Sequence, residues 1–380
     1  MLAKALSVEP GADETRSHVH GFHTYPARLH PEVARSLLSD LARPKDVLLD
    51  PFVGSGTVLV EGRIFGADTY GVDANPLAVH LARLKAEGRP QRTREALVEA
   101  AKRVQMFADS RRKNRAGPTR RYGEADVQAF EPHVLLELDG MSAGIVEEPS
   151  VELRRDLSLV LSSLLTKVSR RRGDTAEGEA PKRIAAGYPA KLIVKKSEEL
   201  VRRLAEYEAL VGRDVAPPRI VVGDARDLGE PPPVDLVITS PPYPGNYDYL
   251  HHHELRLRWL SMDAEGFDRR EIGSRRHLEP LGYEQAVAQW RDDLGQVLAE
   301  LARTMRPDGL ALLVLADSVI ADRALYADDL VHELAPLTGL RMVATASQKR
   351  PHFHAPSRLA FADKPRREHV LALTPAREDQ

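Results

Sequence analysis

The stretch LLDPFVGSGTVLVEG, Leu48 to Gly62, decides the fold. An apolar run ends in an acid and a proline, two glycines follow two positions apart, and a helical pattern starts at Thr57. This is how a buried strand, a tight turn and a crossover helix are written in sequence. The helix is predicted from Thr57 to about Phe65. Downstream, TYGVD reads as a second strand, and PLAVHLARLKAEG as a helix stopped by Gly88. Upstream, FHTYPARLHPEVARSLLSDL places Pro31 in a first helical turn, with Val33, Leu37, Leu38 and Leu41 at helical spacing. Strands alternating with helices predict a parallel sheet.

The alternation stops at Arg89. Residues 89–215 are charged and helical in pattern, with three amphipathic stretches: RTREALVEAAKRVQMFA, RRDLSLVLSSLLTKV and KSEELVRRLAEYEALV. Between them lie basic clusters (Arg111 to Lys113 with Arg115, then Arg170 to Arg172) and the polar loop GDTAEGEAPKR. Strand patterns resume in RIVVGDARDL and VDLVITSPPY. QWRDDLGQVLAELARTMRPDG then reads as a helix with a glycine stop before the strand LALLVLADS, and a last helix and two closing strands follow. The predicted architecture is an α/β, Rossmann-like, doubly wound sheet built from residues 1–88 and 216–380, interrupted by a mainly helical insertion over 89–215.

Composition narrows the chemistry. The 380 residues are 42% hydrophobic, enough for a large core, and carry a formal net charge of -2, so no global positive field draws the chain toward nucleic acid. There is no cysteine. Thiolate zinc sites, iron–sulfur clusters and every cysteine nucleophile are excluded, including the thiolate that methylation at carbon 5 of cytosine requires. No run has membrane-spanning length and the N-terminus lacks a signal-peptide core, so the expected address is the cytoplasm.

A dinucleotide loop needs three glycines in G-x-G-x-x-G, and an anionic pyrophosphate wants backbone donors rather than a carboxylate at the strand end. Here only Gly54 and Gly56 are present, and Asp50 precedes them. An acid beside glycines suits a cationic ligand, and S-adenosylmethionine carries both a sulfonium and an ammonium. Asp73 ends the second strand, where an acid can accept from ribose hydroxyls. Asp224, with Ala225 after it, ends the third, where an acid can accept from the adenine amine. Any one of these is equally readable as a turn or cap carboxylate; three at successive strand ends favour the cofactor.

TSPPY follows the apolar run DLVI, so Ser240, Pro241, Pro242 and Tyr243 form a stiff loop at a strand top. The prolines remove two N–H donors and leave carbonyl acceptors facing the site. Tyr243 offers a face for a planar ring. Acceptors at Ser240 and the Pro241 carbonyl would pull a ring-conjugated amine toward tetrahedral geometry and free its lone pair.

DPFVGSGT together with TSPPY resembles the amino-methyltransferases that modify N4 of cytosine or N6 of adenine in DNA. FHTYPARLHPEVA resembles the family segment that packs against the methionine end of the cofactor. The likeness covers roughly residues 20–85 and 216–320. It implies S-adenosylmethionine as cofactor, contacted by Phe22, Tyr25 and Pro26, by Asp50, Pro51, Phe52, Gly54, Ser55, Gly56 and Thr57 near the methionine moiety, and by Asp73 and Ala74 at the ribose. Ser240 to Tyr243 would face the target amine, and serine at the first motif position leans toward cytosine N4. Asn246, Tyr247, Tyr249 and Arg350 are expected on the substrate side.

The implied partner is duplex DNA with the target base flipped out, its backbone held by the basic clusters. RNA (guanine N2 or adenine), a protein glutamine, and a non-catalytic cofactor-binding role are the alternatives. Two departures matter: the cofactor segment comes before the catalytic loop, unlike the permuted members, and the family's internal target-recognition region usually precedes the catalytic strand directly, whereas this insertion comes earlier. It is expected to be a sequence reader, a helical cap or an oligomer surface. His251, His252 and His253 are consecutive on a predicted helix and point about 100° apart, so no metal site is expected there. The basic run from Lys349 through His352, His354 and Arg358 to Arg367 reads as a solvated connection or a phosphate-contacting loop.

Overall fold

A computed structural model describes residues 1–8, 14–175, 178–180, 182–351 and 358–376. His352, His354 and part of the GDTAEGEAPKR loop lie outside the described residues.

Helix α1 (Leu2–Leu6) and α2 (Pro31–Leu41) precede strand β1 (Val47–Asp50), α3 (Thr57–Phe65), β2 (Asp68–Asp73) and α4 (Pro76–Glu87). The insertion follows as α5 (Gln91–Lys113), α6 (Glu124–Ala129), α7 (Pro132–Val146), α8 (Val151–Val168) and α9 (Tyr188–Glu208). The sheet resumes with β3 (Arg219–Val222) and β4 (Val234–Thr239). Helices α10 (Tyr249–Trp259), α11 (Ala264–Arg270), α12 (Arg275–Leu278) and α13 (Gly282–Thr304) lead to β5 (Met305–Ala316). A hairpin of β6 (Ser318–Ile320) and β7 (Arg323–Leu325), then α14 (Ala327–Leu334), β8 (Leu340–Lys349) and β9 (Arg367–Pro375) complete the chain.

The seven-stranded sheet has the order β3-β2-β1-β4-β5-β9-β8. Its first five strands are parallel, and β9 is antiparallel to both β5 and β8. This is the doubly wound, Rossmann-like α/β arrangement the sequence implies. Period-two alternation sorts the side chains between two faces. Leu48, Leu236, Ile238, Leu312 and Val314 pack with α1 and α2, whereas Leu49, Val237, Ala311 and Leu313 pack with α13 and α14. Strand order reverses between β1 and β4, and that is where such sheets open a crevice at their carboxyl ends.

Two local expectations are revised. The glycine stop predicted for α13 is not where that helix ends. It closes at Thr304, because Pro307 two residues beyond Met305 disfavours helical backbone before it. Residues 306–309 instead bulge within β5, where the partner of Val234 is Met305 but that of Leu236 is Leu310. Among the described residues, the insertion contains five helices, where the sequence marks three amphipathic stretches. They share one core with the methyl-bearing side chains of α4, the 3-10 turn His18–Gly21 and α10: Leu77, Leu81 and Leu84 are buried in the same cluster as Leu138, Leu157, Leu161, Leu200 and Leu255.

Candidate active site

The glycine loop works by closeness. Gly54 and Gly56 have φ of 49° and 89°, a region that side chains disfavour, and a Cβ on Gly56 would sit 2.9 Å from the Cα of Ala82 on α4. Glycine is therefore required for the loop to lie against that helix. Asp73 at the end of β2 holds the loop in place: one oxygen accepts from Gly54 N at 2.8 Å and the other from Asn75 N at 2.8 Å. Asn75 in turn caps α4 by accepting from Leu77 N, with Pro76 in the first turn. Its amide nitrogen donates to Nδ1 of His253 on α10 at 2.9 Å. Burial pulls the His253 imidazole down to about 3, so the ring is neutral and its proton sits on Nε2.

A cleft of about 620 Å³, partly open to solvent, lies above this loop. Its floor is Pro51, Phe52, Gly54, Asp73 and Ala74, and Ala225 and Ser240 come from the ends of β3 and β4. Tyr25 lies over the loop, with a Gly54 Cβ position 3.6 Å from its ring, and stacks on Tyr249 with ring centroids 6.4 Å apart. Phe267, Arg270, Glu271 and Ile272, around the end of α11, form a wall that no sequence pattern indicates. Those four residues share no motif and follow the proline–tyrosine loop at a distance that only the folded chain interprets.

Not every expected cofactor residue reaches the cavity. Asp50 is 3% exposed and absent from the wall; its carboxylate accepts from Thr239 Oγ1 at 2.7 Å and Phe52 N at 3.1 Å, which clamps the ends of β1 and β4 together. Asp224 is turned to Arg226, which donates from Nε at 3.0 Å and Nη2 at 2.7 Å, and only its neighbour Ala225 faces the cavity. Phe22 is a fully buried core residue, and Ser55, Gly56 and Thr57 lie beneath the loop surface. Pro26 sits between two lining residues, Tyr25 and Ala27, without lining the cavity itself. Burial raises the carboxyl pKa of Asp50 to about 7 and that of Asp73 to about 6.

A second, larger cavity of about 1600 Å³ adjoins the first, and Ala27, Ser240 and Tyr249 belong to both. Its lining brings together Pro241, Tyr243, Asn246, Tyr247 and Arg350, which the sequence places in one site, and adds Glu368 from β9. The Tyr243 hydroxyl lies 3.5 Å from Ser240 Oγ and 3.3 Å from Glu368 Oε1, and Arg350 Nε donates to Glu368 Oε2 at 2.8 Å. Burial and the Glu368 charge push the Tyr243 phenol up, so it stays protonated. Tyr247 and Tyr249 lie 5.7 Å apart and continue the aromatic row begun by Tyr25.

His251 is exposed while His253 is buried, so the histidine run diverges as helical geometry requires. Among the described residues, two other groups bring three ligand-type atoms together. One is His18, His20 and Glu61, where Glu61 already pairs with His20 and Arg35; the other is Asp317, Asp328 and His369. Several expected phosphate contacts are engaged internally: Arg112 with Asp109, Arg170 with Glu131, Arg350 with Glu368.

The smaller cavity fits S-adenosylmethionine. Two carboxylates, Asp73 and Glu271, face a space walled by apolar and aromatic side chains, and one Glu271 oxygen has no hydrogen-bond partner. That donor set suits a cationic nucleoside and repels a pyrophosphate.

The comparisons with known proteins agree on the reaction class. The family described as UPF0020, RMKL-like, methyltransferase domain, matches residues 22–131. The chain is 22% identical to the Type II methyltransferase M.MvaI of Kocuria varians, across 92% of this chain and 88% of that protein. It is 29% identical to the Type II methyltransferase M.MjaII of Methanocaldococcus jannaschii over 25% of this chain and 18% of that one. The solved structure of TrmN from Thermus thermophilus aligns over 91% of this chain and 49% of its own at 13% identity, with a TM-score of 0.36, too distant to bear on function. The family model and both relatives support methyl transfer as the reaction class.

Proposed function

We propose that the protein transfers a methyl group to an exocyclic amine of a DNA base, with N4 of cytosine the preferred target. The observation that carries this reading is the junction of the two cavities at Ser240: a methyl donor in the smaller one and a flat amine in the larger one would meet across that residue. The full-length similarity to a Type II methyltransferase supports it.

The cofactor, when bound, supplies an electrophilic methyl on a sulfonium. The chain's residues do the rest. Asp73 and the glycine loop hold the donor. Ser240 Oγ and the Pro241 carbonyl accept the amine hydrogens and orient the nitrogen lone pair. Tyr247 and Tyr249 offer ring faces for the base. As the new N–C bond forms, the amine gives up one proton, and the Tyr243–Glu368 pair beside Ser240 leads away from the reacting nitrogen toward Arg350. Catalysis is then positioning and electrostatics, without a covalent enzyme intermediate. In a duplex the base must leave the stack, at a cost of a few kcal/mol.

The test is incubation with methyl-labelled cofactor and, in parallel, DNA or RNA of mixed sequence, followed by digestion to nucleosides. N4-methylcytosine is the expected product; N6-methyladenine would keep the mechanism and change the base. Label in RNA alone, or in neither nucleic acid, overturns the DNA reading.

A further inference from the structure

We infer that Glu271 is the carboxylate that receives a positively charged group of the methyl donor, a part that sequence logic assigns to Asp50. This rests on the cofactor reading above.

The wall of the smaller cavity carries two acids, Asp73 and Glu271. Both Asp73 oxygens already accept backbone N–H groups, whereas Asp50, whose Oδ1 accepts from Thr239 and Phe52, is not part of that wall. Glu271 differs. Its Oε1 accepts from Tyr249 N at 2.7 Å and Leu250 N at 3.3 Å, where it caps the start of α10. Its Oε2 is buried and makes no hydrogen bond. The nearest cation, Arg276, is 3.9 Å away and is already joined to Asp268. The side chain is 3% exposed, and burial raises its pKa to about 7.

A buried carboxylate oxygen without a donor is costly unless a ligand completes it. Tyr25 and Tyr249, whose phenols feel the Glu271 charge, place two aromatic rings beside that oxygen, and such rings favour a cation as well. Arg270, the preceding residue on the same wall, adds the opposite sign. Paired charges of opposite sign suit the amino-acid end of the donor, which carries an ammonium and a carboxylate. A cap alone accounts for Oε1 and leaves Oε2 unexplained.

The methyl donor carries two cationic groups, so the test separates them. Binding of S-adenosylmethionine, S-adenosylhomocysteine and methylthioadenosine is measured by calorimetry on the wild-type protein and on Glu271→Gln. The second ligand lacks the sulfonium charge and the third lacks both charges. Glutamine keeps an acceptor for the helix cap. The expected result is a loss of roughly 10- to 100-fold for S-adenosylmethionine and S-adenosylhomocysteine, with methylthioadenosine little changed. That outcome assigns the ammonium; loss for S-adenosylmethionine alone assigns the sulfonium and equally supports the inference. An equal loss for all three ligands, or no loss, makes Glu271 a cap only and overturns it. If the wild type binds none of the three, the cofactor reading itself fails, which is a separate result.

Discussion

The acids of the cofactor cavity set the chemistry of the site one residue at a time. Asp73 and Glu271 are held up at about 6 and 7 by burial, well above the usual carboxylate value of about 4. Without ligand they are protonated in the folded protein at a pH where the unfolded chain has already ionised them. Their contribution to stability is therefore present at low pH and lost as pH rises through 6 and 7. A cationic donor reverses the preference, because it binds the ionised form and expels the proton. Affinity for S-adenosylmethionine should climb as pH rises through 6 and 7 and level off above. Calorimetry in buffers of different ionisation enthalpy should show proton release on binding near neutrality, and an affinity flat across that range would contradict the prediction.

At the scale of elements, a buried ion pair adds to the apolar core that joins the sheet domain to the insertion. Arg89 follows α4 and donates from Nε at 2.8 Å and Nη2 at 2.9 Å to the two oxygens of Asp156 on α8, which is fully buried. Removing one partner strands the other charge, so Arg89→Ala should cost about 3–5 kcal/mol of stability, read as a fall in urea midpoint. The double variant Arg89→Met with Asp156→Leu should recover most of the loss, because it leaves no orphaned charge. The same scale accounts for α7, one of two insertion helices that the sequence patterns leave unmarked. Its Gly140 and Gly144 form a contact surface. A Cβ on Gly140 would lie 3.2 Å from Ala108 Cα, and one on Gly144 would lie 3.2 Å from Phe107. The glycines let α7 approach α5, and the all-round apolar character that blurred its period reflects burial between helices.

At the scale of the molecule, the insertion is part of the fold's core. Its helices bury Leu77, Leu81 and Leu84 of α4 and Phe22 ahead of the cofactor loop, all within one apolar cluster. Replacing residues 89–215 by a short linker should expose that surface, giving an insoluble or dye-binding product in place of a minimal enzyme. Soluble yield, far-UV circular dichroism and a cooperative melt would check this; a shortened chain that melts sharply would show that the insertion is dispensable for folding.

What the sequence by itself determined was local. The strand–glycine–helix unit at Leu48–Gly62, the second strand and helix ending at Gly88, and the proline loop after β4 all follow from short-range rules, because glycine at positive φ, proline without its N–H, and apolar periods of 2 and 3.6 act on neighbours. Much of the cavity was legible for the same reason: Tyr25, Phe52, Gly54, Asp73, Ala225, Ser240 and Tyr249 do converge. Tertiary structure alone decided which acids face the ligand. Asp50 and Asp224 have the right positions in sequence, but Asp50 lies outside the cavity wall with one oxygen held by Thr239, 189 residues away, and Asp224 is turned to its near neighbour Arg226. Glu271 and Glu368 belong to no motif; the end of α11 brings Glu271 to the site, and Glu368 enters from the start of β9, opposite Ala316 at the carboxyl end of β5. A carboxylate's role depends on which donors reach it and how much water is excluded, and both are set by chain segments too distant for spacing to encode.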